Sequence, residues 1–375
     1  MNLTRLPALG ALAGVLLAAS PAASAASHIA STASARELLA GEAKGTSVTA
    51  DGRLTLGEPL EMRAWPEDAS DAVVFAAASD SAGNVYVATG GGLGRLFVSR
   101  PDGKVSLLFT AAEPNLTAVV VAPDGGVVCG SSPNGKIYRV DPKEKSPESA
   151  GRVLGDPKEA AIWALVFGPD GALYAGTGNK GRIYRRRGKD GSLDLFREIE
   201  DVHVRSLAVG GDGTVYAGTS DRGLLVAIAP DGSSLRTIHD FARPEVVGIV
   251  VKKDGTILAA ASSAEGAPGA GASLDVKRAP SPVATPAPKE GDETPKGTVS
   301  VSTGPVRFAP TSAASREGSG EVVQIGADGF VEPAWIFPDE TIFSIRFEER
   351  TNALVVTTGS KGRVYRWKDR HVTLE

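Results

Sequence analysis

The chain has 375 residues, 40 Lys and Arg against 44 Asp and Glu, and a formal net charge of −4. A nucleic-acid binder carries a basic footprint, so this balance argues against that class. A single cysteine, Cys129, excludes an intramolecular disulfide and reads as a small buried apolar residue rather than a nucleophile.

Residues 1–25 read as an export leader, with Arg5 as the basic end, a largely apolar run over 6–19, and Ala23-Ser24-Ala25 as a small-residue cleavage site. The apolar run is too short for a spanning helix. The expectation is an exported chain, periplasmic or extracellular, with no membrane span. Residues 26–44 form an N-terminal extension, and 45–375 form one repeat domain.

From residue 75 onward one unit recurs. It reads FAAASDSAGNVYVATGGGLGRLFV at 75–98, VVVAPDGGVVCGSSPNGKIYRV at 119–140 and LVFGPDGALYAGTGNKGRIYRRR at 165–187. It continues as LAVGGDGTVYAGTSDRGLLVAI at 207–228, IVVKKDGTILAAA at 249–261 and IRFEERTNALVVTTGSKGRVYRW at 345–367. The turn glycines Gly83, Gly125, Gly171, Gly213 and Gly255 are spaced by 42, 46, 42 and 42 residues. A period of about 40–45 residues suits a four-stranded propeller blade. Each unit is legible as an apolar first strand, an Asp-Gly turn, a second strand with small residues, a Gly/Asn-rich turn, a third strand and an outer fourth strand. The fold class expected is therefore an all-β propeller of six four-stranded blades. The piece at 46–56 is read as a clasp lent to the last blade. The rival is a seventh, degenerate blade built from 45–70.

The stretch 262–319 is dominated by Ala, Pro, Gly and Ser. Such a segment buries too little apolar area to offset its ordering entropy. It is read as a disordered insertion between the second and third strands of the fifth blade.

Candidate chemistry is sparse. Gly176-Thr177-Gly178-Asn179-Lys180-Gly181 matches a dinucleotide fingerprint by letter, but a strand follows it where that fingerprint needs a helix, so it reads as a hairpin turn. His28, His203, His239 and His371 have no metal-ligand spacing, and no nucleophile motif stands out. The expectation is no catalytic residue, no metal and no cofactor. Arg139, Arg185 and Arg366 recur directly after Tyr138, Tyr184 and Tyr365, which reads as stacking and solvation at an outer strand.

Topology supplies the best ligand candidates. Alignment on the turns puts Phe75, Thr117, Trp163, Arg205, Val247 and Phe343 at one ring position near the start of each first strand. Two residues earlier come Val73, Asn115, Ala161, His203, Glu245 and Thr341. These positions vary inside a repeated frame, as site-building positions would. Trp163, Arg205, His203, Glu245, Asn115 and Phe343 are the candidate ligand-binding residues at this axial mouth. Trp offers a stacking face, Arg a fork for an anion, and Glu an acceptor or metal ligand.

The run PDGALYAGTGNKGRIYR at 169–185 resembles the repeats of secreted bacterial β-propellers of the NHL, WD40-like, quinoprotein and two-component-regulator styles. The Gly-His and Trp-Asp marks of WD40 units and the tryptophan-docking pattern of quinoprotein dehydrogenases are missing. Calcium lactonases of the gluconolactonase type are similar in blade number and use axial Glu, Asn and Asp ligands, of which only Glu245 and Asn115 have counterparts here. Two functions stay open: an exported, non-catalytic scaffold for a protein or glycan partner, or a metal-dependent hydrolase or lactonase with its site in the axial channel.

Overall fold

The computed structural model describes residues 72–263 and 319–374, apart from 145, 148, 189, 339, 360–361 and 369–370, together with 46–49, 54–57 and 63–69. The leader, His28 and the segment 264–318 lie outside the described residues.

The strands group into six successive antiparallel four-stranded units, spanning 73–110, 115–155, 162–198, 203–240, 245–337 and 342–374. Their first strands pack side by side in chain order. The hairpin Thr46–Thr49 and Leu54–Leu56 joins the outer strand His371–Leu374, with Val48 opposite Leu374. It therefore widens the sixth blade to six strands. The strands at Ile257–Ser263 and Ser319–Ile325 pair along their whole length, Ser263 opposite Ser319. The fifth blade's strands thus take in Ser262, Ser263 and Ser319, residues assigned from sequence to the insertion.

The turn chemistry follows the residues. Gly83, Gly125, Gly171, Gly213 and Gly255 all hold φ between +76° and +84°, a region that costs glycine nothing. In the third blade Asp170 closes the turn by accepting the Ala172 N–H at 3.0 Å. The fingerprint look-alike is a hairpin turn between the paired strands Leu173–Thr177 and Arg182–Arg186.

The core lies between blades. Each of five buried apolar clusters is shared by two neighbours, from Leu96 with Leu116 across blades 1 and 2 to Leu258 with Ile342 across blades 5 and 6. Cys129 sits in the first of them, fully buried, and burial pushes its thiol pKa up, as an inert core residue requires. The joint between blades 6 and 1 differs. Arg346 donates to the Ser79 hydroxyl at 3.0 Å there, and none of the five clusters spans it.

Candidate functional site

Each first strand carries a β-bulge at the same place. The register skips Phe75, Thr117, Trp163, Arg205, Val247 and Phe343, one in each blade. These are the six residues that turn alignment assigns to one ring position. A bulged residue leaves the strand's alternation and is re-aimed. The ring of variable side chains is thus built by a repeated irregularity in the backbone.

Four of the six candidates converge on consecutive blades. Arg205 donates from Nε to Glu245 Oε1 at 2.5 Å, and its guanidinium carbon lies 4.7 Å from the centroid of the Trp163 ring. Glu245 is buried, so this partner keeps its charge from standing alone in a poor solvent. The other guanidinium nitrogens of Arg205 have no partner among the described residues. His203 meets Trp163 edge-on at 6.1 Å. The Asn179 N–H donates to His203 Nδ1 at 3.1 Å, so the neutral ring carries its proton on Nε2. The Trp163 indole N–H is buried without a partner. It packs on Gly178, where a Cβ would stand only 2.7 Å from Nε1.

Burial first, and the positive charge of Arg205 second, lower the pKa of His203 below its ordinary 6.5. The unfolded chain therefore takes up this proton before the folded chain does. Stability should fall as pH drops below about 6.5 and level off once the folded-state pKa is passed. An NMR titration should show His203 neutral at pH 6.5, and His203→Gln should flatten this part of the stability profile. Titration of His203 at an ordinary value would contradict its burial beside Arg205.

The remaining two candidates stand elsewhere. Asn115 accepts from the Gly91 N–H at 2.9 Å and donates to the Ser132 carbonyl at 3.3 Å. Both ends of its amide are engaged, the oxygen tying blade 1 to blade 2 and the nitrogen bonding within blade 2. Phe343 is 48% exposed and Phe75 36% exposed, on the first strands of blades 6 and 1, which adjoin at the joint where Arg346 meets Ser79. In ring order this apolar side faces the Trp163–Arg205–Glu245 side across the axis.

A set of mouth residues escapes reading by type alone. Buried Glu113, Glu159 and Glu340 sit in loops just before first strands. Each accepts a tyrosine hydroxyl from its own blade, Tyr138, Tyr184 and Tyr365, always 25 residues on. Each also meets a cation two residues before that tyrosine: Lys136 at 2.9 Å, Arg182 at 3.1 Å and Arg363 at 2.8 Å. Burial raises the three tyrosine pKa values, and the facing carboxylates add to the rise. In the fifth blade the pair is reversed, Arg243 in the loop and Glu321 on the strand at 2.7 Å. These clamps peg the mouth loops to the third strands. A Glu–Lys/Arg–Tyr spacing repeated three times is the sequence signal that could have found them.

The repeated arginines lie on third strands, one strand inside the outer position expected from sequence. Arg139 makes a two-pronged contact with Asp124 at 2.8 and 2.9 Å, Arg366 meets Glu348 at 2.5 Å, and Arg185 lies over the Phe196 ring at 4.5 Å.

The axis has a second feature. A cavity of about 660 Å³ sits at the Asp-Gly-turn end, walled by Val166, Leu207, Val209, Ile249 and Ile345. None of the six candidates lines it. No group of three or more His, Cys, Asp or Glu side chains among the described residues could hold a metal ion.

Two solved structures of virginiamycin B lyase from Staphylococcus aureus, one a catalytically inactive variant with quinupristin, match the chain with TM-scores of 0.54 and 0.53. Each is 14% identical and covers 80% of this chain, against 82% and 83% of the lyase chains. A chain of the mitotic checkpoint complex matches with a TM-score of 0.51 and 13% identity, over 78% of this chain and 72% of that one. No protein-family model matches, and no curated protein matches. At such identities the likeness carries the fold and nothing further. The chain is a β-propeller repeat protein.

Proposed function

We propose that this protein is an exported, non-catalytic propeller that docks a protein partner at its axial mouth. The observation that carries the reading is the distribution of exposed apolar residues. Val73, Val74, Phe75 and Phe343 are exposed at the blade 6–1 joint, and Leu93 and Val202 lie in turns at the same end of the molecule. Large apolar residues left exposed at one end of a molecule mark a candidate interaction site. Opposite it stands Arg205, a half-open fork suited to a carboxylate or carbonyl on the partner. Export rests on the leader alone. A hydrolase with a channel metal would need Glu245 as a ligand, and Glu245 is committed to Arg205.

The test is photo-cross-linking in the native cell envelope. A photoreactive residue at Phe75 or Phe343 should give a discrete protein adduct, weakened about tenfold or more by Arg205→Ala. The same residue at Leu195, exposed on an outer strand, should give none. Equal labelling from all three positions would sink the docking reading. A calcium-dependent rise in melting temperature removed by Glu245→Gln would support the hydrolase instead.

A further inference from the structure

We infer that the cleft between blades 5 and 6 is a second binding site, and that its ligand is a carbohydrate. The cleft encloses about 660 Å³ and is lined by Trp335, Trp367 and Phe347, with Gln324, Glu332 and Asn352 among its polar groups. It opens away from the mouth, at the Asp-Gly-turn end, so it goes beyond the docking surface proposed above.

The cleft exists because three residues depart from the repeat at one place. The fourth strands of blades 1 to 5 each carry a bulge, at Leu108, Leu154, Phe196, Ile238 and Ala334. The first four side chains pack into the cluster that joins their blade to the next. Ala334 stands in the same place between blades 5 and 6 and is too small to fill it. At the end of the third strand, where blades 1 to 5 have Ser99, Val140, Arg186, Ile228 and Ile325, blade 6 alone has an aromatic residue, Trp367. In the first-to-second strand turn, where five blades have glycine, blade 6 has Asn352 at φ +54°. Asparagine tolerates that conformation and brings an amide with it. A gap thus replaces a plug, an amide replaces a glycine, and an indole stands where no other blade has an aromatic ring.

The chemistry of the lining selects the ligand class. Trp335 rests edge-on against Tyr365 at 5.1 Å and on Phe337 at 4.0 Å, which fixes its ring. Neither Trp335 nor Trp367 has a hydrogen bond to its indole N–H among the described residues. A purely apolar ligand would leave these donors and the Gln324, Glu332 and Asn352 groups unmatched. The lining carries both signs, Lys252 and Lys368 against Glu332, and Lys252 also meets Asp254 at 3.5 Å, so charge alone does not select a polyanion. A saccharide has an apolar C–H face to lie on an indole and hydroxyls that both donate and accept. The volume falls in the range of small-molecule pockets, roughly 300–1,000 Å³.

The experiment is a tryptophan-fluorescence titration of the whole protein with maltose, cellobiose and N,N′-diacetylchitobiose, beside a proline-rich decapeptide. At least one saccharide should bind saturably. Ala334→Leu restores the plug found in the other blades, so it should weaken that binding at least tenfold while leaving the melting temperature unchanged or higher. Trp367→Leu should weaken binding likewise. Arg205→Ala, at the other end of the axis, should leave it intact, which separates this site from the mouth. Binding that survives Ala334→Leu overturns the inference. So does a panel in which no saccharide binds, or one in which only the peptide does.

Discussion

Gly223→Ala is expected to destabilise the protein far more than Gly171→Ala, although both glycines hold positive φ. Gly171 has φ +76°, and a Cβ there would have nothing within 4 Å, so alanine meets backbone strain alone, about 1–2 kcal/mol. Gly223 has φ +68°, and a Cβ there would overlap the Arg243 carbonyl oxygen. That atom belongs to the loop leading into blade 5, which cannot yield without disturbing its own bonds. The Asp221 N–H donates to the Pro244 carbonyl and the Phe241 N–H to the Gly223 carbonyl, both at 3.0 Å. Alanine at 223 must therefore part the two blades locally, and the loss should exceed about 3 kcal/mol, the scale of a severe core change. Urea denaturation of the two variants, read by the same probe, makes the comparison. Equal losses would mean that the seam between blades 4 and 5 is looser than the packing implies.

The second large effect belongs to Glu340. Its carboxylate takes the Tyr365 hydroxyl at 3.0 Å, Arg363 at 2.8 Å and the Thr358 hydroxyl at 2.6 Å, and it is buried. Glu340→Ala removes the buried carboxylate that Arg363, Tyr365 and Thr358 share, a loss of about 3–5 kcal/mol on the scale of broken buried pairs. Glu340→Gln keeps an acceptor and should lose less. The reversed pair in blade 5 offers an internal control. Arg243→Glu alone sets two carboxylates face to face, whereas Arg243→Glu with Glu321→Arg rebuilds the arrangement of the other clamps. The double variant should recover at least about 1 kcal/mol of the loss seen with Arg243→Glu alone. No recovery would show that the pair's orientation, rather than its charge, holds the loop.

The period of the turn glycines is enough to read the architecture, because a residue required at φ near +80° has few substitutes. The same alignment locates the ring of bulged residues, although an alternating pattern gives no sign of the bulges themselves. Blade context alone identifies Cys129 as a core residue and the fingerprint look-alike as a turn. Asn115 is different in kind: its chemistry suggests a ligand, yet its amide joins two blades, and only the packing distinguishes those uses. The Glu clamps and the Ala334 gap escape a reading of single residues because both depend on partners a strand or a blade away. An alanine in a run such as EPAWIF gives no hint that its counterparts are Leu, Phe and Ile.

The pairing of Thr46–Thr49 with His371–Leu374 bears on how the chain is made. Joining ends more than 300 residues apart is cheap in entropy, since closure grows only with the logarithm of length: about 2 kcal/mol more than closing one 40-residue unit. The cost lies in time. Synthesis delivers Thr46–Thr49 more than 300 residues before its partner His371–Leu374, so the hairpin waits with an open hydrogen-bonding edge while five blades are made. Until His371–Leu374 arrives, the nascent chain presents a ready template for any other strand, and the interval between the first and sixth blades is when this protein most needs to be kept from its own copies.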